Sequence, residues 1–294
     1  MKVNKFIVFV FTAILTLSIS KTSFCQSVPL KITDTGFIFV TVSINDSITA
    51  DFLLDTGGGM NVLSNKIYQK IKPTANFHSF ETGFRHDGER IDGELFEIPS
   101  ISIDSYKLTD VLTGMYAPLD QYGIDGIISL KFFENKPFTI DFKNKILTIE
   151  TKKSLKKIIG SSTMIPILLD VYADYAIDMY IPLILNSTLT LNAEFDTGSG
   201  YNTLIIRPEY MSKLGLDAAN TNKQDYTTPI TQSKLNDYVT SLNSVQVNGL
   251  SSTEMKNKIV TFREKMIHPA LIGSEMFKDK AITIDIQNKK MYVR

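Results

Sequence analysis

Tryptophan is absent from the 294 residues, cysteine occurs once and histidine three times. So few soft ligands leave no set for a zinc cluster, and a single cysteine excludes a disulfide framework. No charge of either sign dominates: 31 Lys and Arg stand against 31 Asp and Glu. Nothing in that balance points to nucleic acid or to an anionic membrane surface. The apolar run near the start, Phe6 to Ile19, is 14 residues, short of the roughly 17 to 25 that cross a bilayer. What is present, 43% hydrophobic, 21% charged and 10% aromatic residues, belongs to an ordinary globular chain and sets aside disorder, collagen and coiled coil. At roughly 150 residues per domain, the length predicts two domains or one large one.

The first 25 residues have the pattern of an export signal. Lys2 and Lys5 precede the apolar run, a polar stretch Ser20 to Ser23 follows, and Ser23 and Cys25 supply small residues at the minus-three and minus-one positions before Gln26. Cleavage there predicts a periplasmic or extracellular protein with no stable membrane span and no remaining cysteine, which suits an oxidising setting. The rival, a lipid anchor on Cys25, is disfavoured by the bulky Phe24 immediately before it. Losing three lysines with the signal leaves 28 basic residues against 31 acidic, a net charge of −3.

The rest of the chain is written twice. Phe138-Thr-Ile-Asp-Phe-Lys-Asn-Lys145 is answered by Ile282-Thr-Ile-Asp-Ile-Gln-Asn-Lys289, and Phe52-Leu-Leu-Asp-Thr-Gly-Gly-Gly59 by Ala193-Glu-Phe-Asp-Thr-Gly-Ser-Gly200. The offsets, 144 and 141 residues, nearly agree. Two strand-like runs precede each Asp-Thr-Gly, Val28 to Ile32 with Phe37 to Ile44, and Ile165 to Leu169 with Met179 to Leu185. A short helix is predicted after each, at Lys66 to Ile71 and from Pro208 to a stop at Gly215. Period-two alternation in Ile98 to Ile103 and Leu242 to Val247, with turns such as Asn248-Gly249, predicts mostly β structure. The Lys-rich stretch Lys152 to Ser162 reads as the linker. The organisation predicted is a signal over residues 1–25, an N-terminal lobe over 26–155 and a C-terminal lobe over 156–294.

An apolar strand ending in Asp-Thr-Gly sets a carboxylate on a tight loop where glycine relieves side-chain clash. Two such loops facing each other bring Asp55 and Asp196 together. Like charges at that range share one proton, so one carboxylate activates a water while the other protonates a substrate carbonyl. Thr56 and Thr197 are the hydroxyls that brace the loops, and Gly57 and Gly198 give backbone N–H groups room to reach the carboxyls. Asp141 and Asp285 repeat as faithfully, but each starts an Asp-x-x-Asn-Lys turn and reads as turn capping. Thr56-Gly-Gly-Gly59 lacks the Lys-Ser or Lys-Thr of a phosphate loop, and Thr197-Gly-Ser-Gly-Tyr201 is not a nucleophile elbow. A glycosidase would be served by two carboxylates alone, but the twin Thr-Gly context favours peptide chemistry.

On these residues the sequence resembles the retropepsin-like and pepsin-like aspartic proteases, in particular bacterial exported members with two Asp-Thr-Gly lobes in one chain. The resemblance covers about Gln26 to Arg294. It implies a mostly β, bilobal fold of two pseudo-symmetric retropepsin-like β-barrel lobes with a cleft between them, and an aspartic endopeptidase that needs no cofactor and no metal. It implies a peptide or unfolded protein as substrate and, with both aspartates in one chain, a monomer. The family pairs each Asp-Thr-Gly loop with a later strand of two apolar residues and a glycine. Leu271-Ile272-Gly273 fits, while Ile127-Ile128-Ser129 ends in serine. The family also places Ser or Thr after Asp-Thr-Gly to hydrogen-bond the carboxylate, a role open to Ser199 but not to Gly58. A flap implied by the family is expected at Thr82 to Leu95 as a mobile lid with Gly83, Gly88 and Gly93, and a stiffer counterpart near Thr227 to Asn236. His78 and His86 are expected to face solvent. Gly58 and Ser129 keep a second function class open, a catalytically inactive peptide-binding module that retains the cleft.

Overall fold

A computed structural model describes residues 25–294. The expected export segment lies outside the described residues, apart from Cys25. Strand β1 (Gln26–Ile32) leads into β2 (Ile38–Ile44) and β3 (Ile48–Leu54), which delivers Asp55 at its end. After the loop come β4 (Val62–Leu63) and helix α1 (Asn65–Ile71), whose N-terminus is capped by the Ser64 hydroxyl. A long hairpin, β5 (Asn76–Phe84) and β6 (Arg90–Ile103), continues through β7 (Tyr106–Met115) to the short β8 (Gly126–Ile128). Strands β2, β3, β8, β4, β7 and β6 pair in a ring closed by Ser43 opposite Ser102 and Ile44 opposite Ile101, so the first lobe is a six-stranded barrel.

The second lobe repeats the plan. After β9 (Phe138–Asp141), β10 (Ile146–Ile149), α2 (Lys152–Ile159) and β11 (Thr163–Pro166), the strands β12 (Leu168–Tyr172), β13 (Ala176–Leu185) and β14 (Leu189–Phe195) lead to Asp196. Then follow β15 (Leu204–Ile206), β16 (Asn222–Thr227), β17 (Lys234–Val247), β18 (Leu250–Arg263) and β19 (Ala270–Ile272). Strands β13, β14, β19, β15, β18 and β17 close through the pairing of β13 with β17. Strands β20 (Ala281–Asp285) and β21 (Lys290–Val293) complete the chain. The inward faces of both barrels are aliphatic and phenylalanine residues, such as Phe52, Leu54 and Ile128 in the first lobe and Ala193, Phe195 and Ile272 in the second.

The lobes are joined where the repeated segments meet. Strand β9 pairs antiparallel with β20, placing Ile140 opposite Ile282 and Thr139 opposite Thr283, and the two threonine hydroxyls are 2.7 Å apart. Equivalent residues of the two copies therefore touch, which puts a local two-fold axis between them. Asp141 and Asp285 are turn caps as expected: each accepts from the backbone N–H three residues on, Asn144 at 2.9 Å and Asn288 at 3.2 Å.

Three local expectations need correction. The Lys-rich linker is helical, because Thr151 and Ser154 form a reciprocal capping box that starts α2. The segment from Pro208 makes two 3₁₀ turns, Pro208–Tyr210 and Ser212–Leu214, although Gly215 does end it in the left-handed conformation at φ 68°. The run Ile165 to Leu169 is split between β11 and β12. Pro166 lies on the edge strand β11, where its missing N–H costs no ladder bond, and the chain passes there from the interlobe sheet into the second barrel.

Candidate active site

Each Asp-Thr-Gly loop is fixed by the same two backbone elements. Asp55 N–H donates to Ile128 O at 2.9 Å and Asp196 N–H to Ile272 O at 3.0 Å, which ties each loop to the parallel strand beside it. The loops then lock to one another. Thr56 N–H donates to the Thr197 hydroxyl (3.0 Å), which donates in turn to Leu54 O (2.7 Å). Thr197 N–H donates to the Thr56 hydroxyl (3.1 Å), which donates to Phe195 O. Both threonines are fully buried, so four backbone groups at the lobe interface depend on two hydroxyls.

That grip brings the Asp55 and Asp196 carboxyls into hydrogen-bonding contact with each other. Gly57 N–H donates to Asp55 Oδ1 at 2.9 Å, and Ser199 N–H to Asp196 Oδ1 at 3.0 Å. A side chain on Gly198 would start 2.3 Å from Asp55 Cγ, and one on Gly57 would start 2.8 Å from Asp196 Cγ. Glycine at these two positions is what lets each loop pass under the opposite carboxyl. Burial pushes the Asp55 carboxyl up, partly opposed by its hydrogen bonds with Asp196 and with the Gly57, Gly198 and Gly58 amides. Asp196 is pushed well above the usual range by burial and then by the neighbouring Asp55 charge. Two carboxyls this close and this buried resist ionising together, so the pair shares one proton.

The two departures in the first lobe have local explanations. The Ser199 hydroxyl donates to the Asp196 backbone oxygen (2.9 Å), not to its carboxylate, so the expected hydroxyl support is supplied by an amide. Gly58 offers the same kind of backbone support to Asp55. Gly273 is required because a Cβ there would lie 1.9 Å from Gly200 O. In the first lobe Ser129 takes the equivalent place, its N–H bound to Asn61 Oδ1 at 3.1 Å and its hydroxyl accepting from Lys131 N–H at 3.2 Å.

Sequence reasoning missed a polar set beside Asp196. Glu194 lies two residues before Asp196 on the same strand face and directly opposite Tyr180. His268 bridges them, with Nδ1 2.9 Å from the Tyr180 hydroxyl and Nε2 3.3 Å from Glu194 Oε2. Burial pushes Glu194 well above the usual carboxyl range, assisted by Asp196, Asp178 and Asp55. Burial, then Arg207, holds His268 down to about 4. Asp178, opposite Asp170 on β12, is pushed up to about 6 by burial, Asp170 and Asp55. The repeat carried a signal for this set, because the first lobe has Leu53, Phe39, Phe37 and Ile124 at the equivalent positions.

The flap is where expected but is docked at its tip. Asp87 and Glu89, in the turn between β5 and β6, are 2% and 5% exposed against the second lobe's β16–β17 tip. His86 is half-buried, held to about 4 chiefly by burial, and its Nε2 lies 3.1 Å from Arg263 Nη1. Only His78 faces solvent as expected. Among the described residues no group of three or more His, Cys, Asp and Glu side chains is arranged to hold a metal, and no helix is long and apolar enough to cross a membrane.

Comparison with known proteins agrees with this architecture. The fold is similar to that of conglutin gamma, a basic 7S globulin from lupine seeds (TM-score 0.52, 10% identity), and of a basic 7S globulin from soybean (TM-score 0.50, 9% identity). It is also similar to edgp (TM-score 0.51, 9% identity), and each of the three similarities covers 92% of this chain and 94% of the other. No curated protein matches the sequence. Residues 40–132, which contain Asp55 and the flap, match the sequence profile of the aspartyl protease family. Residues 40–132 thus carry the aspartyl protease family pattern, and the chain as a whole has a mostly β, aspartic-protease-like fold.

Proposed function

We propose that the protein is an aspartic-type endopeptidase that hydrolyses peptide bonds in a cleft between its two lobes. The observation that carries this reading is the pairing of Asp55 with Asp196, held in contact by the reciprocal Thr56–Thr197 hydrogen bonds. With the shared proton on Asp196, the Asp55 carboxylate is the base. A water between the two carboxyls attacks the scissile carbonyl carbon, giving a proton to Asp55 while Asp196 gives its proton to the carbonyl oxygen. The tetrahedral intermediate collapses as its hydroxyl proton returns to Asp196 and Asp55 protonates the departing nitrogen. The C–N bond breaks, acid and amine leave, and no covalent enzyme adduct forms. Thr56, Gly57, Thr197, Gly198 and Ser199 act by holding the two carboxyls. The substrate is an extended, unfolded chain; both aspartates in one chain fit a monomer, and the N-terminal pattern fits work outside the cytoplasm.

Asp55→Asn and Asp196→Asn are each expected to abolish cleavage of a denatured protein substrate between acidic and neutral pH. Full cleavage by either variant defeats the proposal. A second reading, a cleft that binds peptide without cutting it, draws on Ser129 in the place of the expected glycine and on the similarity in fold to seed globulins. A peptide that binds wild type and is recovered intact supports that reading over the first.

A further inference from the structure

The tips of the β5–β6 and β16–β17 hairpins are joined by side chains that the proposed hydrolysis does not use. The Glu89 carboxylate accepts from Ile230 N–H at 3.0 and 3.1 Å, from the Thr231 hydroxyl at 2.8 Å and from Thr231 N–H. Tyr226 donates its hydroxyl to Asp87 Oδ2 at 2.8 Å, and Ile267 N–H donates to His86 O at 3.0 Å. Arg263 lies 3.4 Å over the Tyr226 ring and is held by Asp237 through two bonds of 2.8 and 2.6 Å, which aims its remaining nitrogen at His86. Further down the flap, Tyr175 donates to Glu81. Every one of these contacts joins the first lobe to the second or braces a residue that does so.

We propose that the two hairpin tips form an acid-released clasp over the cleft, with Glu89 and His86 as the positioning residues that hold it shut. A buried carboxylate satisfied by three donors from the other lobe resists opening, because each donor left unpaired costs free energy. His86 Nε2 can accept from Arg263 only while the imidazole is neutral. Once protonated, it faces Arg263 from the second lobe and Arg85 from its own tip, with Asp87 as the nearby anion and His268 as a further base. Glu89 faces Arg85 Nε at 3.7 Å and is held below the usual range, burial being outweighed by its hydrogen bonds from Thr231 and Ile230.

The sign follows. His86 held near 4 in the clasp and released to about 6.5 in solvent favours the closed form above pH 6.5 and progressively the open form as pH falls to 4. The closed-to-open ratio drops by up to roughly a hundredfold across that window. Protonation of Glu89, which its hydrogen bonds from Thr231 and Ile230 shift to more acidic pH than usual, removes the remaining anchor. If the proposed function holds, the enzyme is roofed at neutral pH and admits a polypeptide in acid.

The test is amide hydrogen exchange of Ile230 and Thr231, read by NMR and corrected for the intrinsic pH dependence of exchange. In wild type both amides are expected to be protected at pH 7 and to lose at least tenfold of that protection at pH 4, while the amides of β20 keep theirs. Glu89→Ala is expected to lose the protection already at pH 7, and His86→Gln, which keeps an acceptor but cannot be protonated there, to retain it at pH 4. Unchanged wild-type protection at pH 4, full protection in Glu89→Ala, or a wild-type fall in His86→Gln each overturns the clasp. Exchange needs no turnover, so a protein that never cleaves peptide refutes the proposed function while the clasp is decided separately.

Discussion

The interlobe grip makes a stability prediction that does not depend on what the cleft does. Thr197→Val keeps the volume of a side chain that is fully buried and removes only the hydroxyl. That hydroxyl accepts from Thr56 N–H and donates to Leu54 O. A buried backbone group left without a partner costs about 1–3 kcal/mol, so the substitution is expected to cost about 2–6 kcal/mol, with about 3 as the central value. Thr56→Val strands Thr197 N–H and Phe195 O and is expected to cost a similar amount. Thr197→Ser keeps the hydroxyl and loses one methyl group, so about 1 kcal/mol separates it from wild type. The chain has no tryptophan, so urea unfolding is best followed by far-UV circular dichroism, with calorimetry to locate the melting temperature. A loss of about 3 kcal/mol corresponds to roughly 6–12 °C in a chain of this size. A Thr197→Val protein within 0.5 kcal/mol of wild type would show that water or a backbone shift replaces the hydroxyl, and would refute the claim that the grip fixes the aspartates.

Other substitutions test the loop geometry and the buried histidine. Gly198→Ala places a Cβ 2.3 Å from Asp55 Cγ. Relief needs a shift near 1 Å, so peptide cleavage is expected to fall about 100-fold with about 1–3 kcal/mol lost in denaturant unfolding. Gly83→Ala, in open space on the flap, is the control and is expected to change neither measurement. His268, neutral in the fold down to about pH 4, penalises the native state as pH falls from 6.5, where the unfolded imidazole takes up its proton, to 4. His268→Gln is therefore expected to flatten the stability-against-pH curve by about 2–3 kcal/mol across that window. An unchanged slope in denaturant melts at pH 7, 5.5 and 4 would mean that His268 stays exposed to protonation in the folded protein.

What the sequence disclosed was local and repeated. Asp-Thr-Gly after an apolar strand, the Asp-x-x-Asn-Lys turns and the Asn248-Gly249 hairpin turn, with Gly249 at φ 82°, are each decided by the backbone needs of a few adjacent residues. The two offsets then implied the two-fold arrangement. What stayed hidden depends on residues more than a hundred positions away. Glu89 is a typical surface residue in sequence, and its burial is created by Ile230 and Thr231 of the other lobe. His86 sits in a glycine-rich, polar turn that reads as solvent-exposed, yet Arg263 covers it. Position-by-position comparison of the repeats, and not only of their matching motifs, would have exposed Glu194 against Leu53.

That comparison also bears on how two chemically equal aspartates come to sit in unequal surroundings. In a symmetric site the shared proton has no preferred seat. Here the surroundings differ at four equivalent positions, where the first lobe has Phe37, Phe39, Leu53 and Ile124 and the second has Asp178, Tyr180, Glu194 and His268. Each set meets the opposite loop in the same way: a Cβ on Gly200 would lie 3.7 Å from the Phe37 ring, and one on Gly59 would lie 3.4 Å from Asp178 Oδ1. The fold is thus satisfied by an apolar set in the first lobe, and the acids of the second are not needed to build it. Their effect is electrostatic. Glu194 stands on the same face as Asp196, two residues away, and burial with the charges of Asp196, Asp178 and Asp55 pushes it well above the usual carboxyl range. Within the dyad, Asp196 is pushed well above the usual range by burial and by the Asp55 charge, while Asp55, raised by burial, is eased back by its hydrogen bonds with Asp196 and with the amides of Gly57, Gly198 and Gly58.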